Sequence, residues 1–249
     1  MSGCLYLVPN LLGLVPPHSV LPQRTLDVAR TLTTWIVETP KAARAFLATV
    51  EVPVPIASLD IQALPAADAE ADWRAMLAPA LRGIDMGLLS DAGAPGIADP
   101  GAFLVAAAHD AGVRVVPLVG PSALLLGLMA AGMNGQRFAF HGYLPVKPEA
   151  RAEAVRGLER ASRAQDATQL FIETPYRNAT MIAALARTLA PGTLVCVAAD
   201  LTLPTERIER RSAAQWRSVD AAWYDKRPAL FLLHAPPAGR SPRSSPRTR

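Results

Sequence analysis

The chain is poor in the residues that build metal centres and disulfide scaffolds. Its four histidines (18, 109, 141, 234) are far apart, and its two cysteines, Cys4 and Cys196, each sit inside an apolar run, CLYLV and TLVCVAA. Cysteines in such runs pack as small hydrophobes, and no zinc-type spacing exists, so neither a disulfide framework nor a metal site is expected. G-x-G-x-x-G, G-x-S-x-G and H-E-x-x-H are all missing, which removes most of the weight from redox-cofactor, serine-hydrolase and zinc-hydrolase readings. The opening MSGCLYLVPN has no basic segment followed by a long apolar one, so no export signal is expected and the expected compartment is a reducing cytoplasm.

Long apolar runs are scarce too. One uncharged stretch has membrane-spanning length, 115–136, and Pro117 and Gly120-Pro121-Ser122 interrupt it. A strand, a turn and a short helix SALLLGLMAAG account for those interruptions, whereas a spanning helix would absorb them at several kcal/mol. No membrane association is expected.

Charge is likewise limited: 18% of residues are charged against 51% hydrophobic, a composition that folds. The net charge of +4 lies in Arg240, Arg243, Arg247 and Arg249, which leaves 21 basic against 21 acidic residues for the rest. The body is therefore neutral, and the Arg/Ser/Pro end reads as a solvated, disordered tail able to hold phosphate loosely.

Apolar strand-like runs fall at 4–8, 34–38, 84–89, 113–118, 169–173, 193–199 and 229–234, with helical patterns at 40–49, 73–82, 100–111, 122–131, 149–161 and 177–189. Their alternation predicts an α/β fold. Asp99 before Pro100 predicts a helix N-cap, Gly112 and Gly132 predict helix ends, and Pro191-Gly192 predicts a break. Two α/β lobes are expected at 1–119 and 120–236, followed by the basic tail at 237–249.

Chemistry is expected at Gly/Pro-rich loops that follow strands, where open α/β sheets bind ligands. These are Pro9–Gly13, Ser90–Gly101, Gly120–Ala123 and, with a carboxylate and an aromatic ring, Glu173–Arg177. Their small residues leave backbone N–H and C=O groups free to approach a flat adenosine or an amino acid. Gly96 to Gly101 has the glycine spacing of a phosphate loop, but Ala102 and Phe103 replace its Lys and Ser/Thr.

In order and spacing, LLSDAGAPGIADPG, VRVVPLVGPSA, FAFHGYLP and FIETPYRN resemble the tetrapyrrole-methylase-type (class III) S-adenosylmethionine-dependent methyltransferases. The similarity runs over roughly 4–235 and is strongest to the branch that contains the bacterial small-subunit ribosomal RNA ribose 2'-O-methyltransferase. That resemblance implies two α/β lobes with S-adenosylmethionine in the cleft between them, and a homodimer. By motif it implies cofactor contacts at Pro9, Asn10, Ser90, Asp91, Ala92, Gly93, Pro121, Ser122, Ala123, Tyr143, Leu144, Glu173, Tyr176, Pro228, Ala229 and Leu230. A sulfonium cofactor has no phosphate, so it demands backbone hydrogen bonds, acceptors for its ammonium such as Asp91, and an apolar slot for adenine.

Methyl transfer asks mainly for desolvation and alignment of the nucleophile, so no loud catalytic motif is expected. Glu38, Asp200 and Glu206 are candidate bases for a ribose hydroxyl, though each also reads as a structural carboxylate, and no catalytic residue is assigned. Departures from the branch cluster at the substrate side: the first loop reads PNLLGLVPPHSV, Val37–Lys41 keeps only Glu and Thr of A-E-D-T-R, and Ala198–Thr202 lacks the arginine of A-R-E-L-T. Those departures bear on the substrate more than on the cofactor; the resemblance implies RNA or a ribosomal subunit as acceptor, with a tetrapyrrole or other small molecule as the alternative. A non-catalytic S-adenosylmethionine-binding module and a nucleotide-binding protein built on the 96–101 loop are the remaining readings.

Overall fold

The first strand-like run, CLYLV, forms β1 (Cys4–Val8), an interior strand of a five-stranded sheet, in a computed structural model that describes residues 2–65 and 72–236. The arginine-bearing end and most of the 65–72 segment lie outside the described residues. The chain forms two compact units that part between Ser122 and Ala123. The division falls a little past the expected Val119, and local contacts explain it. Thr25 Oγ1 donates to Val119 O at 2.8 Å, and a Cβ on Gly120 would sit 2.4 Å from Pro9, so 119–122 are bound into the first unit.

In the first unit β1 is followed by α1 (Gln23–Thr31), β2 (Thr34–Val37), α2 (Pro40–Thr49), β3 (Asp60–Ala63), α3 (Trp73–Met76), α4 (Ala78–Leu81), β4 (Met86–Leu89), α5 (Ala102–Asp110) and β5 (Arg114–Pro117). All pairings in the order β3-β2-β4-β1-β5 are parallel. One apolar cluster, with Trp35, Phe46 and Leu47, and another, with Ile36, Leu77 and Leu104, hold buried residues of β2 that alternate in sequence. A sheet covered on both faces needs near-continuous hydrophobic strands, which is why these runs were legible.

Local chemistry corrects three expected boundaries. The helix at 73–82 is two helices, because Pro79 has no N–H to continue the ladder; Asp72 caps the first, accepting from Ala75 N at 2.9 Å. β4 starts at Met86 because Asp85 turns aside to accept from Cys4 N at 2.7 Å. Asp99 is not an N-cap: α5 begins at Ala102 behind Gly101, whose φ of 132° suits glycine, with no side-chain cap.

The second unit contains α6 (Ala123–Ala131), β6 (Phe138–Tyr143), α7 (Pro148–Gln165), β7 (Thr168–Ile172), α8 (Asn178–Thr188), β8 (Leu194–Ala199), β9 (Arg207–Ser212), α9 (Ala213–Trp216) and β10 (Ala229–His234). Its sheet runs β6-β7-β10-β8-β9, with β6 parallel to β7 and the remaining pairs antiparallel. α7, α8 and α9 contribute to a core with Phe171 and Phe231, whose rings stack at 5.4 Å. α6 packs against β10 and β8 through Gly127, where a Cβ would lie 2.5 Å from Leu230. The uncharged stretch 115–136 is thus largely β5, a turn and α6. Among the described residues no helix is long and apolar enough to cross a membrane.

Candidate cofactor site

Because the first sheet is parallel, the C-terminal ends of its strands share one edge: Val8 and Val37 both pair with Leu89. The loops after β1, β2, β4 and β5 therefore converge, and hydrogen bonds knit them together. Asn10, only 6% exposed, donates from Nδ2 to Ser90 O and Asp91 O, both at 3.0 Å, while its N–H bonds Gly93 O at 2.8 Å. Ser90 Oγ donates within its own loop to Ala92 O at 3.2 Å. Gly93 takes a φ of 70° with Leu12 and Pro121 O close by, a position for glycine. Pro9, Asn10, Ser90 to Gly93, Pro121 and Ser122 are thereby brought to one edge, and Ala123 opens α6 of the second unit.

Two residues not assigned to the cofactor enter this edge. Thr39, from the turn after β2, donates its N–H and hydroxyl to the Asp91 carboxylate at 3.1 and 2.7 Å, and Asp91 N donates to Glu38 Oε2 at 3.0 Å. Asp91 therefore reaches any ammonium only through lone pairs that Thr39 leaves over. The surviving Glu and Thr of the 37–41 segment were the available signal. Asp99, expected as a cap, faces this group instead: burial pushes its carboxyl up to about 6, Glu38 and Asp91 add to the rise, and Ser90 opposes it.

The second unit has an equivalent edge. Tyr143 pairs with Ile172, Leu230 with Ile172, and Ala229 with Ala199, so the ends of β6, β7 and β8 and the start of β10 lie together. This gathers Tyr143, Leu144, Glu173, Tyr176, Pro228, Ala229 and Leu230. Leu144 and Leu230 are 7% and 1% exposed, so they offer backbone rather than side chain. Glu173 is 6% exposed; Thr174 N and Oγ1 donate to its Oε1 at 2.7 and 3.2 Å, whereas Oε2 has no aligned hydrogen-bond donor. Arg177 Nη2 lies 3.3 Å from that oxygen, off the hydrogen-bonding direction. The pair compensates the buried carboxylate, and Arg177 is held at the same turn.

The candidate bases separate. Asp200, 4% exposed and with a φ of 52°, is held by Arg227 Nη1 and by Thr205 Oγ1 at 2.7 Å, and its N–H bonds Pro228 O. Glu206 accepts from Thr202 N at 2.9 Å. Both shape the 200–206 loop, while Glu38 stands on the edge that carries the cofactor candidates. Cys196 is buried in β8, where burial pushes its thiol up to about 12 and leaves it unreactive. Among the described residues no group of three or more His, Cys, Asp or Glu is placed to hold a metal.

No family model matches the chain. It is 34% identical over 231 residues to ribosomal RNA small subunit methyltransferase I of Xylella fastidiosa, covering 93% of this chain and 80% of that protein. The chain belongs to the ribosomal RNA small subunit methyltransferase I family. The Vibrio cholerae member is 32% identical over 85% of this chain and 69% of its own length. The crystal structure of the methyltransferase CobJ matches with a TM-score of 0.60 and 18% identity, over 94% of this chain and 95% of CobJ. That likeness shows the fold, which is the tetrapyrrole-methylase fold of two α/β lobes. As a member of this family the protein is an S-adenosylmethionine-dependent methyltransferase.

Proposed function

We propose that the acceptor is ribosomal RNA of the small subunit, methylated at a ribose 2'-hydroxyl, and that the strand-end loops of the first unit meet the cofactor. The observation that carries the acceptor is the 34% identity to a ribosomal RNA methyltransferase across 93% of this chain, both units included.

S-adenosylmethionine, when bound, supplies a methyl group already activated on a sulfonium centre. The protein's part is to hold and orient. Backbone groups at Pro9, Asn10, Ser90 to Gly93 and Pro121 to Ala123 meet the cofactor's polar atoms, and the shared hydrogen bonds of Asn10 keep those loops in place beforehand. On the second unit, Glu173, ion-paired with Arg177, and the backbone of Leu144 and of Pro228 to Leu230 are the groups that the family resemblance assigns to the cofactor.

We also propose a homodimer that works in the cytoplasm. α6 supports the dimer, since Leu125 and Met129 remain 54% and 79% exposed on a helix whose opposite side packs on the sheet.

Incubation of purified small ribosomal subunits with methyl-labelled cofactor, followed by nucleoside mass spectrometry, tests the acceptor. A 2'-O-methylated nucleoside is expected, with RNA affinity falling steeply as salt rises. Transfer to a tetrapyrrole and none to RNA would overturn the acceptor; cofactor binding without turnover on either would point to a sensor module. Sedimentation equilibrium reads the dimer.

A further inference from the structure

Two tyrosines stand in solvent at the second unit's edge. Tyr143 is 63% exposed and Tyr176 76% exposed, unusual for rings that normally bury most of their area. They share one place in the fold: Tyr143 ends β6 opposite Ile172, and Tyr176 lies on the turn Pro175–Arg177 that follows β7. Lys226 N donates to Pro175 O at 2.8 Å, which fixes the loop carrying that lysine to the same turn. Lys147, just past Tyr143, and Lys226 are exposed, and neither makes an ion pair among the described residues. Glu173, at the end of β7 just before the turn, is buried and ion-paired with Arg177.

We propose that Tyr143 and Tyr176 are a stacking platform for an unpaired nucleobase of the acceptor RNA, flanked by Lys147 and Lys226 against the phosphates. The proposal rests on the ribosomal RNA reading and assigns to the acceptor two rings that the family resemblance placed at the cofactor. Stacking on an exposed ring favours single-stranded nucleic acid, because only there is a base face free, and it tolerates any sequence. A compact cofactor adenine calls for an enclosed apolar slot; a base carried on a long polymer is served by an open ring with cations beside it. Duplex RNA offers neither the face nor groove access to such a ring.

The test uses the full chain and a short mixed-sequence oligoribonucleotide carrying one 2-aminopurine, single-stranded or annealed to its complement, at low salt. Wild type is expected to bind the single strand in preference to the duplex and to quench the reporter. Tyr176→Ala should weaken single-strand binding about 10-fold and relieve the quenching, Tyr143→Ala should act in the same direction, and Tyr176→Phe should stay within about twofold. S-adenosylmethionine affinity, measured by calorimetry, should fall less than single-strand RNA affinity in both alanine variants. Unaltered RNA affinity in both alanine variants, or equal losses of RNA and cofactor affinity, would overturn the platform while leaving the ribosomal RNA reading in place. Absence of RNA binding by wild type would overturn both. Both rings are solvent-exposed, so the variants should fold, which thermal melting checks.

Discussion

The Asn10 carboxamide reaches from the end of one parallel strand to the loop of its neighbour and donates to the carbonyl oxygens of Ser90 and Asp91, both at 3.0 Å. Replacing it with alanine strands two acceptors at an enclosed edge, with an expected cost of about 1–3 kcal/mol measured by urea unfolding. Asn10→Asp should be worse, because a carboxylate donates nothing and would face two carbonyls. Both variants should weaken cofactor binding; unchanged binding in Asn10→Ala would mean the loops need no tether.

Asp99 gives the edge a pH signature. Its folded carboxyl holds a proton up to about 6, above the usual carboxylate range, mainly through burial. The folded state therefore binds more protons than the unfolded one across this window, so stability falls as pH rises from about 4 to 6 and levels off above it. Asp99→Asn should raise the melting temperature at neutral pH and lose that advantage below about pH 4. A pH-independent difference would show that the carboxyl titrates normally.

Trp35 and Gly87 are paired residues of neighbouring strands, and a Cβ on Gly87 would lie 2.4 Å from the buried indole. The indole has no room to move in its core. Gly87→Ala should therefore cost about 1–3 kcal/mol by overpacking, seen as a lowered urea midpoint with an unchanged slope.

Arg227 holds Asp200 and also lies 4.2 Å from the Trp223 ring centre. Arg227→Ala leaves a carboxylate that is 4% exposed with only the Thr205 hydroxyl, at an expected cost of about 2–3 kcal/mol. The figure is set below that of a fully buried pair because Arg227 keeps 31% of its side chain in solvent. Methyl transfer per folded molecule should change far less than stability; loss of turnover with stability intact would restore Asp200 as a base.

Strands covered on both faces announced themselves. TWIV, MGLL and LVCVAA are apolar throughout, and the structure places them within a residue or two of where that pattern put them. β3, β6 and β9 did not. DIQA and RIERRS are polar strands at sheet edges, and FAFHGY is a half-exposed edge strand with an irregular register, so none presents a continuous buried run. α1 was missed as well, since QRTLDVART buries only Thr25, Leu26 and Ala29.

The sequence by itself determined the α/β class, the Gly/Pro-rich loops that follow its strands and, through LLSDAGAPGIADPG and its companions, the methyltransferase family. These are local properties: an apolar run, a glycine, a proline and their spacing keep their meaning wherever the chain goes. Only the tertiary structure decided what the polar side chains do. Asp91 is met by Thr39 across 52 residues and Asp200 by Arg227 across 27, while Asp99 leaves its expected cap for a half-buried place where Glu38 and Asp91 raise its pKa. A carboxylate's role depends on its distance to donors and on its access to water, and both are fixed by strand order and packing, which bring together residues that the linear sequence keeps apart.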